Sequence, residues 1–218
     1  MDIKAVVFDM DGVIFDSEAK VLESWLVVAE KYGIKDIEKL FKRCLGTTYA
    51  ETRRLALEFY GEEFPYDEYK LEVSALYHER YDDGRLPMKP YIKELLEYLR
   101  SHGIKIGLAS STRRQVVEQQ LEWAGILPYF DKLVCGDMVN RSKPAPDIFL
   151  KACEELSVAP ENAAAIEDSY NGIRSAHTAG MMAIMVPDLA PPTEEMERLA
   201  HVILPSLKEV MEYIGDNT

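Results

Sequence analysis

Residues 6–13 read VVFDMDGV, an apolar run that stops at two carboxylates and a glycine. The apolar residues suit a fully buried strand, and Asp9 and Asp11 are spaced so that an extended chain points both to one side. Once the chain turns after Asp9, both carboxylates can line a crevice at the carboxyl end of the strand, where open α/β sheets bind ligands. Two like charges held together are costly unless a cation or a shared proton offsets them. The stretch therefore indicates a metal-assisted reaction, although Asp9 or Asp11 could instead cap the next helix.

The charge balance limits the classes of partner. The 218 residues include 25 Lys and Arg against 38 Asp and Glu, a net charge of −13. Such a chain repels nucleic-acid backbones, so we expect no nucleic-acid partner. An anionic substrate would also be repelled, which favours a bound cation and a few well-placed Lys or Arg side chains.

The cysteines and the hydropathy of the sequence indicate the cellular compartment of the protein. Cys44, Cys135 and Cys153 are odd in number, far apart and without C-x-x-C spacing, so neither structural disulfides nor a zinc site is expected. The first residues lead into the expected strand without a signal-peptide pattern. No apolar run reaches the ~20 residues that span a bilayer. These features predict a cytoplasmic protein without a membrane partner.

The order of predicted elements gives the fold class. We expect strands at Ala5–Phe8, Ile104–Ala109, Lys132–Cys135, Ala163–Ile166, Met181–Val186 and Val202–Leu204, alternating with helices after residue 87. Repeated βα units predict an α/β fold with a doubly wound parallel sheet. Residues 16–87 show helical spacing and no strand pattern, so they predict an inserted α-helical domain. Residues 1–15 and 88–218 then form a discontinuous core domain. Apolar spacing places the aromatic residues Trp25, Tyr32 and Tyr60 in the core of the insert.

Polar residues collect where the predicted strands or their loops end. The clusters are Asp9 with Asp11, Ser110 with Ser111, Lys143, and Glu167 with Asp168. In a parallel sheet they should converge on one edge. Each also has a purely structural interpretation, as a helix cap or as a solvated loop lysine. Their joint placement favours a catalytic site.

These clusters resemble the four motifs of the haloacid dehalogenase superfamily, in order and at familiar spacing. The matching residues are Asp9-x-Asp11-Gly12-Val13, Ser110 after Leu108-Ala109, Lys143-Pro144, and Glu167-Asp168-Ser169. The helical insert after the first motif is similar to the α-helical cap of the β-phosphoglucomutase-like subgroup. The resemblance covers essentially the whole chain.

The resemblance implies a role for each motif. Asp9 would be the nucleophile that forms an aspartyl-phosphate, and Asp11 would act as general acid and then as general base. Ser110 and the Ser111 amide would hold phosphoryl oxygens, and Lys143 would neutralise charge on the nucleophile and the transferring group. Positioning and charge stabilisation of this kind dominate phosphoryl transfer.

The resemblance also implies a cofactor and a substrate surface. Mg²⁺ would bind Asp9, the backbone carbonyl of Asp11, and Asp168, with Glu167 as an outer or alternate ligand. The substrate-binding candidates are Ser111, Gly46, Thr47, Thr48, Tyr49, Arg113 and Ser17. Thr47 or Thr48 could equally cap the expected helix Tyr49–Tyr60, and the two interpretations are compatible.

The insert departs from the β-phosphoglucomutase pattern at two positions. Val21 stands where that pattern has a histidine that restrains hydrolysis, and Tyr49 where it has an arginine that binds a distal phosphate. Arg53 or Arg113 could supply the lost cation, so a phosphomutase stays an alternative. The favoured function is a Mg²⁺-dependent phosphomonoesterase acting on a small phosphorylated metabolite, a sugar phosphate.

Two further alternatives fit the residues less well. A true haloacid dehalogenase needs no metal and lacks the second aspartate, so Asp11 with Glu167 and Asp168 argues against it. A receiver domain of a signalling protein also combines aspartates, Ser or Thr, and Lys on a doubly wound sheet. Receivers are about half this length, carry no insert and put the phosphorylated aspartate on a middle strand, which Gly136-Asp137 echoes only weakly.

Overall fold

The computed structural model describes residues 3–45, 47 and 49–217. Its strands are β1 (Ala5–Phe8), β2 (Lys105–Ser110), β3 (Lys132–Cys135), β4 (Ala163–Glu167), β5 (Met182–Met185) and β6 (Val202–Ile203). Its helices are α1 (Ser17–Tyr32), α2 (Ile37–Cys44), α3 (Tyr49–Tyr60), α4 (Tyr66–Tyr81), α5 (Ile92–Ser101), α6 (Arg114–Trp123), α7 (Asp147–Leu156), α8 (Tyr170–Thr178), α9 (Glu194–Leu199) and α10 (Leu207–Asn217). Among the described residues, no helix combines the length and apolar character that crossing a bilayer requires.

The strands form one parallel sheet in the order β3-β2-β1-β4-β5-β6, which confirms the predicted fold class. β1 lies between β2 and β4, and Phe8 pairs with Leu108 on one side and Ile166 on the other. Since these three strands run in register, the residues that follow these paired positions reach the same edge of the sheet. The chain order changes direction across β1, and open sheets bind ligands at that point.

Two strands extend further than the sequence predicts. The expected ends were Ala109 and Ile166, whereas Ser110 and Glu167 are the last residues of β2 and β4. Both polar side chains are buried, with exposed fractions of 1% and 0%. They therefore belong to the rigid sheet edge, which fixes their positions more firmly than a loop would.

The chain divides into two compact units, residues 1–16 with 87–218 and residues 17–86. The second unit contains α1 to α4, and its core is built around Trp25. The Trp25 ring lies edge-on to Phe41 and Tyr69, with centroids 5.3 and 5.6 Å away. The expected core position of Tyr32 is wrong: its side chain is 58% exposed, and its hydroxyl donates to Glu72 Oε2 at 2.5 Å. A tyrosine can occupy an apolar helical position and still turn its polar end to water.

Helix α7 ends at a residue with left-handed backbone geometry. Ser157 has φ 54° and ψ 48°, and its N–H donates to the Glu154 carbonyl oxygen. A side chain with a Cβ pays steric strain in this region, whereas glycine does not. We expect Ser157→Gly to be about 1 kcal/mol more stable than Ser157→Ala, which keeps the Cβ. Urea unfolding of both variants measures the difference, and equal stability would contradict the strain.

Candidate active site

Asp9 lies immediately after β1, at the carboxyl edge of the sheet. Its backbone N–H donates to the Ile166 carbonyl oxygen at 3.0 Å, which fixes the start of the turn. Its carboxylate accepts a hydrogen bond from Lys143 Nζ at 2.6 Å. The same ammonium donates to Glu167 Oε1 at 2.6 Å and to the Ala109 carbonyl oxygen at 2.8 Å. The structure therefore brings together three of the four predicted motifs through one buried lysine.

Burial controls the charges of this cluster. Burial raises the pKa of Asp9 above the usual aspartate value, the Lys143 ammonium partly offsets this, and Glu167 and Asp11 raise the pKa further. Burial alone would lower the pKa of Lys143, but Asp9 and Glu167 outweigh it and hold the pKa above its usual value. Lys143 thus stays an ammonium. One lysine balances two of the acids, so a further cation favours the ionised form of Asp9.

Glu167 is held in a fixed orientation. Its side chain is fully buried, and Oε2 accepts hydrogen bonds from the Ser169 N–H at 3.2 Å and the Ser169 hydroxyl at 3.0 Å. Ser169 also caps α8, because its Oγ accepts from the Gly172 N–H at 3.0 Å. A Cβ at position 172 would lie 1.8 Å from the Glu167 carboxyl carbon. The Glu167 carboxylate therefore leaves room only for glycine at position 172, a requirement that was not predicted from the sequence.

Three carboxylates at this edge form a candidate metal centre. Asp9, Glu167 and Asp168 each offer an oxygen, and these oxygens all lie within 4.8 Å of one another. Gly12, with φ +79°, makes room for the group, since a Cβ there would lie 2.3 Å from Asp168 Oδ2. Mg²⁺ prefers carboxylate and carbonyl oxygens. The donor set and the space that Gly12 leaves fit a magnesium ion.

The end of β2 contributes hydroxyl groups. Ser110 is buried and its Oγ accepts from the Thr112 N–H at 3.1 Å, whereas Ser111 is exposed. The Thr112 hydroxyl donates to Asp11 Oδ2 at 3.1 Å, so it orients the second carboxylate of the first motif. Thr112 is not among the site residues predicted from the sequence. The run of three hydroxyl residues at 110–112 was the available signal.

The loop that carries Lys143 is fixed from two sides. The Lys143–Pro144 peptide bond is cis, and the Lys143 Nζ lies 4.9 Å from the centroid of the buried Phe149 ring. The buried hydroxyl of Ser175, on α8, donates to the Ala145 carbonyl oxygen at 2.7 Å. Ser175 therefore ties the lysine loop to the helix that follows Glu167 and Asp168. Its neighbours in the sequence give no signal for this role.

The other substrate-binding candidates lie elsewhere. Arg113 is exposed and directly precedes α6 in the first unit. Ser17, Thr47 and Tyr49 belong to the second unit: Ser17 is buried at the start of α1, Thr47 donates to the Cys44 carbonyl oxygen at 2.7 Å, and Tyr49 is exposed. Gly46 and Thr48 lie outside the described residues.

Arg53, a candidate replacement for the missing distal-phosphate arginine, has an acidic partner. Its Nε lies 3.0 Å from Asp67 Oδ2, and the Tyr49 hydroxyl donates to Asp67 Oδ1 at 2.5 Å. Asp67 thus contacts both Tyr49, which replaces the arginine of the mutase pattern, and the cationic side chain of Arg53. In this arrangement the charge of Arg53 is balanced within the helical unit.

Comparison with known proteins gives consistent matches over most of the chain. The profile of haloacid dehalogenase-like hydrolases matches residues 6–186. The phosphorylated carbohydrates phosphatase of Thermotoga maritima is 35% identical over 185 residues, which are 84% of each chain. The β-phosphoglucomutase of Bacillus subtilis is 35% identical over 192 residues, 84% of this chain and 83% of that protein. The crystal structure of β-phosphoglucomutase from Clostridium difficile matches with a TM-score of 0.72 at 29% identity, over 98% of this chain and 96% of that chain.

Proposed function

The chain belongs to the haloacid dehalogenase-like hydrolase family, and from this we propose that it is a Mg²⁺-dependent phosphatase of a small phosphorylated metabolite, a sugar phosphate. The observation that carries the proposal is the Lys143 ammonium, buried between Asp9 and Glu167 beside the Asp168 carboxylate. A buried cation among acids at the end of β1 suits a nucleophile that must receive a phosphoryl group.

In the first step Asp9 Oδ attacks phosphorus, and the bond between phosphorus and the leaving oxygen breaks. Asp11 gives its proton to that oxygen, so the product leaves as an alcohol and Asp9 carries the phosphoryl group. Lys143 donates to Asp9 and offsets the negative charge that gathers there. Ser110 and the Ser111 amide would hold the phosphoryl oxygens.

In the second step Asp11, now ionised, takes a proton from water while the water oxygen attacks phosphorus. The bond to Asp9 breaks, inorganic phosphate leaves and both aspartates return to their starting forms. The Thr112 hydroxyl donates to Asp11 Oδ2 and holds this carboxylate in place through both steps. A magnesium ion held by Asp9, Asp168 and the Asp11 backbone carbonyl, with Glu167 as an outer or alternate ligand, would supply positive charge to the transferring group.

Hydrolysis is favoured over phosphate transfer between sugar positions. Val21 stands where the mutase pattern has a histidine that restrains hydrolysis, and Tyr49 replaces the distal-phosphate arginine. Arg53 is paired with Asp67, so its charge is already balanced. We propose that residues 16–87 act as the cap of this family and choose the substrate, through Ser17, Gly46, Thr47, Thr48 and Tyr49 together with Arg113 of the core.

The proposal extends to the compartment and the assembly. Cys135 and Cys153 are buried and Cys44 is half-buried, all as free thiols. Free thiols suit a reducing cytoplasm. A monomer or weak dimer is proposed, and sedimentation of the full chain at several concentrations measures it.

A panel of phosphorylated metabolites assayed with Mg²⁺ for released phosphate tests the function. We expect repeated turnover on at least one sugar phosphate, and loss of turnover on adding a chelator. Net interconversion of sugar phosphates without phosphate release would support the mutase instead. A single phosphorylation event per chain, without turnover, would indicate a receiver.

Asp11→Asn is expected to slow turnover by ~10²–10⁴-fold, because the amide neither donates an acidic proton nor accepts one from water. Steady-state kinetics on the best substrate of the panel measures the loss. Asp216→Asn, a matched change at an exposed residue of α10, should leave the rate unchanged. Turnover of Asp11→Asn close to that of the unaltered enzyme would exclude the acid–base role.

Asp168→Asn is expected to raise the Mg²⁺ concentration for half-maximal activity by ~10-fold or more, since an amide is a poorer ligand than a carboxylate. The side chain keeps its size, so the fit against Gly12 is preserved. Magnesium titration of activity and calorimetric titration of binding give independent values. An unchanged affinity by both methods would remove Asp168 from the ligand set.

A further inference from the structure

The turn that follows β3 lies beside the hydroxyl loop, residues 110–112. Ser110, the last residue of β2, pairs in register with Cys135, the last residue of β3. The two chains therefore leave the sheet side by side at its carboxyl edge. One continues through the hydroxyl loop into α6, and the other forms the short helical turn Gly136–Met138. The proposed hydrolysis does not use this turn.

The backbone of Gly136 contacts the hydroxyl loop directly. Its N–H donates to the Thr112 carbonyl oxygen at 3.0 Å. A Cβ at position 136 would lie 2.1 Å from the Ser111 carbonyl oxygen, far closer than van der Waals contact. Gly136 does not have the positive φ of Gly12, so glycine is needed here because two backbones lie close together. A larger residue at this position must displace the hydroxyl loop.

Asp137 holds the chain just beyond the same loop. Its Oδ1 accepts a hydrogen bond from the Arg114 N–H, in the first turn of α6, at 3.1 Å. The first N–H groups of a helix have no partner within the helix, and a carboxylate also suits the positive end of the helix dipole. A purely structural interpretation makes Asp137 an exposed helix cap. Together with Gly136, however, it fixes both ends of the segment 111–114.

Thr112 links this segment to the acid–base residue. Its N–H donates to Ser110 Oγ at 3.1 Å, and its carbonyl oxygen accepts from Gly136. Its hydroxyl donates to Asp11 Oδ2 at 3.1 Å. Because all three polar groups of Thr112 have partners, a displaced backbone moves the hydroxyl as well. A misplacement of ~1 Å caused far from the reacting atoms can reduce the rate by ~10²-fold.

We propose that Gly136 and Asp137 are positioning residues for the proton transfers of Asp11. They hold Thr112 where its hydroxyl orients the Asp11 carboxyl group, and they act through Thr112 rather than on the substrate. The proposal rests on the proposed hydrolysis, in which Asp11 gives its proton to the leaving oxygen as the bond between phosphorus and that oxygen breaks. Displacement of Thr112 weakens this proton transfer more than the attack by Asp9.

A comparison of two leaving groups tests the proposal. The alkoxide of a sugar phosphate needs a proton from Asp11 to leave, whereas p-nitrophenolate leaves without one. The ratio of kcat/KM for the best sugar phosphate to kcat/KM for p-nitrophenyl phosphate therefore measures proton donation, because kcat/KM includes no step after the leaving group departs. We expect Gly136→Ala to lower this ratio by ~10-fold or more, and Asp137→Ala by ~3- to 10-fold. Asp137→Asn keeps an oxygen that can accept from the Arg114 N–H and should restore most of the ratio.

Two variants that alter similar features elsewhere are the controls. Thr193→Ala removes the cap of α9, where Thr193 Oγ1 accepts from the Met196 N–H at 3.3 Å. Gly103→Ala places a Cβ at a φ of +71°, away from any close contact among the described residues. Both should lower Tm and leave the ratio unchanged. An unchanged ratio in Asp137→Ala, even with a lower kcat/KM on both substrates, would overturn the proposal, and so would an Asp137→Asn no better than Asp137→Ala.

Amide spectra separate this proposal from the proposed function. A ¹⁵N–¹H spectrum of the full chain reports the surroundings of Thr112 and Asp11 without any turnover. Asp137→Ala should shift the signals of Arg114, Thr112 and Asp11, and Thr193→Ala should leave these three in place. A shifted Asp11 signal in a chain without activity on any substrate would support the positioning of Asp11 and reject the phosphatase. Turnover together with unshifted Thr112 and Asp11 signals would reject the role of the turn and leave the phosphatase intact.

Discussion

Replacing Asp9 with asparagine is expected to reduce turnover by ~10⁴-fold or more, because the amide oxygen does not form a stable bond to phosphorus. The substitution changes little else. The Asn oxygen can still accept from Lys143 Nζ, which donates to Asp9 Oδ1 at 2.6 Å in the native chain. Steady-state phosphate release with Mg²⁺ measures the loss.

Trapping the phosphorylated intermediate identifies the nucleophile directly, without a measurement of the turnover rate. Acid-quenched native enzyme should carry one phosphoryl group on Asp9, detectable by mass spectrometry, and Asp9→Asn should carry none. Thermal melting is the control, since the variant should unfold at or near the native temperature. Native-like turnover, or phosphorylation at another residue, would rule out Asp9 as the nucleophile.

Lys143→Met is expected to have the largest effect on stability. Lys143 is 7% exposed, and its ammonium lies 2.6 Å from both Asp9 Oδ1 and Glu167 Oε1. Removing it leaves two buried carboxylates without their shared cation, a loss that costs about 3–5 kcal/mol at neutral pH. Urea unfolding at pH 7 to 8 measures the change. Lys151→Met on α7, where no buried acid depends on the lysine among the described residues, should have a far smaller effect.

The pH dependence of this loss gives a further check. Burial raises the pKa of Asp9 in the native chain, and without Lys143 nothing among the motif side chains offsets that increase. An acid whose pKa is raised by folding favours the folded state at low pH, and this contribution is lost as pH rises through the folded pKa. The stability gap between Lys143→Met and the native chain should therefore shrink as pH falls from 8 to 5. A gap that widens toward low pH would contradict the assigned charges.

Mg²⁺ should reduce the stability difference between Lys143→Met and the native chain, because a bound cation would offset part of the carboxylate charge that is unbalanced in this variant. The melting temperature of Lys143→Met should rise more with Mg²⁺ than that of the native chain. If Mg²⁺ stabilises Lys151→Met as strongly as Lys143→Met, the ion acts outside this cluster.

Much of the sheet and of the catalytic edge could be predicted because the signals are local. A buried parallel strand needs an apolar run, and at β1 and β4 this run stops where the carboxylates begin. Parallel pairing then brings the carboxyl ends together whatever the intervening sequence. The apolar segment 181–185 likewise lies in the core, with side chains at most 8% exposed.

The missed features depend on tertiary contacts between distant residues. Ser175 supports the site by donating a hydrogen bond to the carbonyl oxygen of Ala145, which lies 30 residues away in the sequence. Thr112 does so by donating to the carboxylate of Asp11, which lies 101 residues away. Periodicity carries no information about such pairs. The exposed position of Tyr32 shows a related difficulty, since its apolar ring fits a core pattern while its hydroxyl reaches Glu72 across the helical unit. Helix α9 gives only a weak signal in the sequence, because its six residues are mostly charged and only the Thr193 cap marks its start.

A crystal structure with Mg²⁺ and beryllium trifluoride, a mimic of the transferring phosphoryl group, would show whether the carboxylates and the ion meet at the reacting phosphorus. We expect the beryllium on an Asp9 carboxylate oxygen, the magnesium on oxygens of Asp9 and Asp168, and Lys143 still in contact with Asp9. A beryllium on another side chain, or a magnesium ion away from these carboxylates, would contradict this expectation.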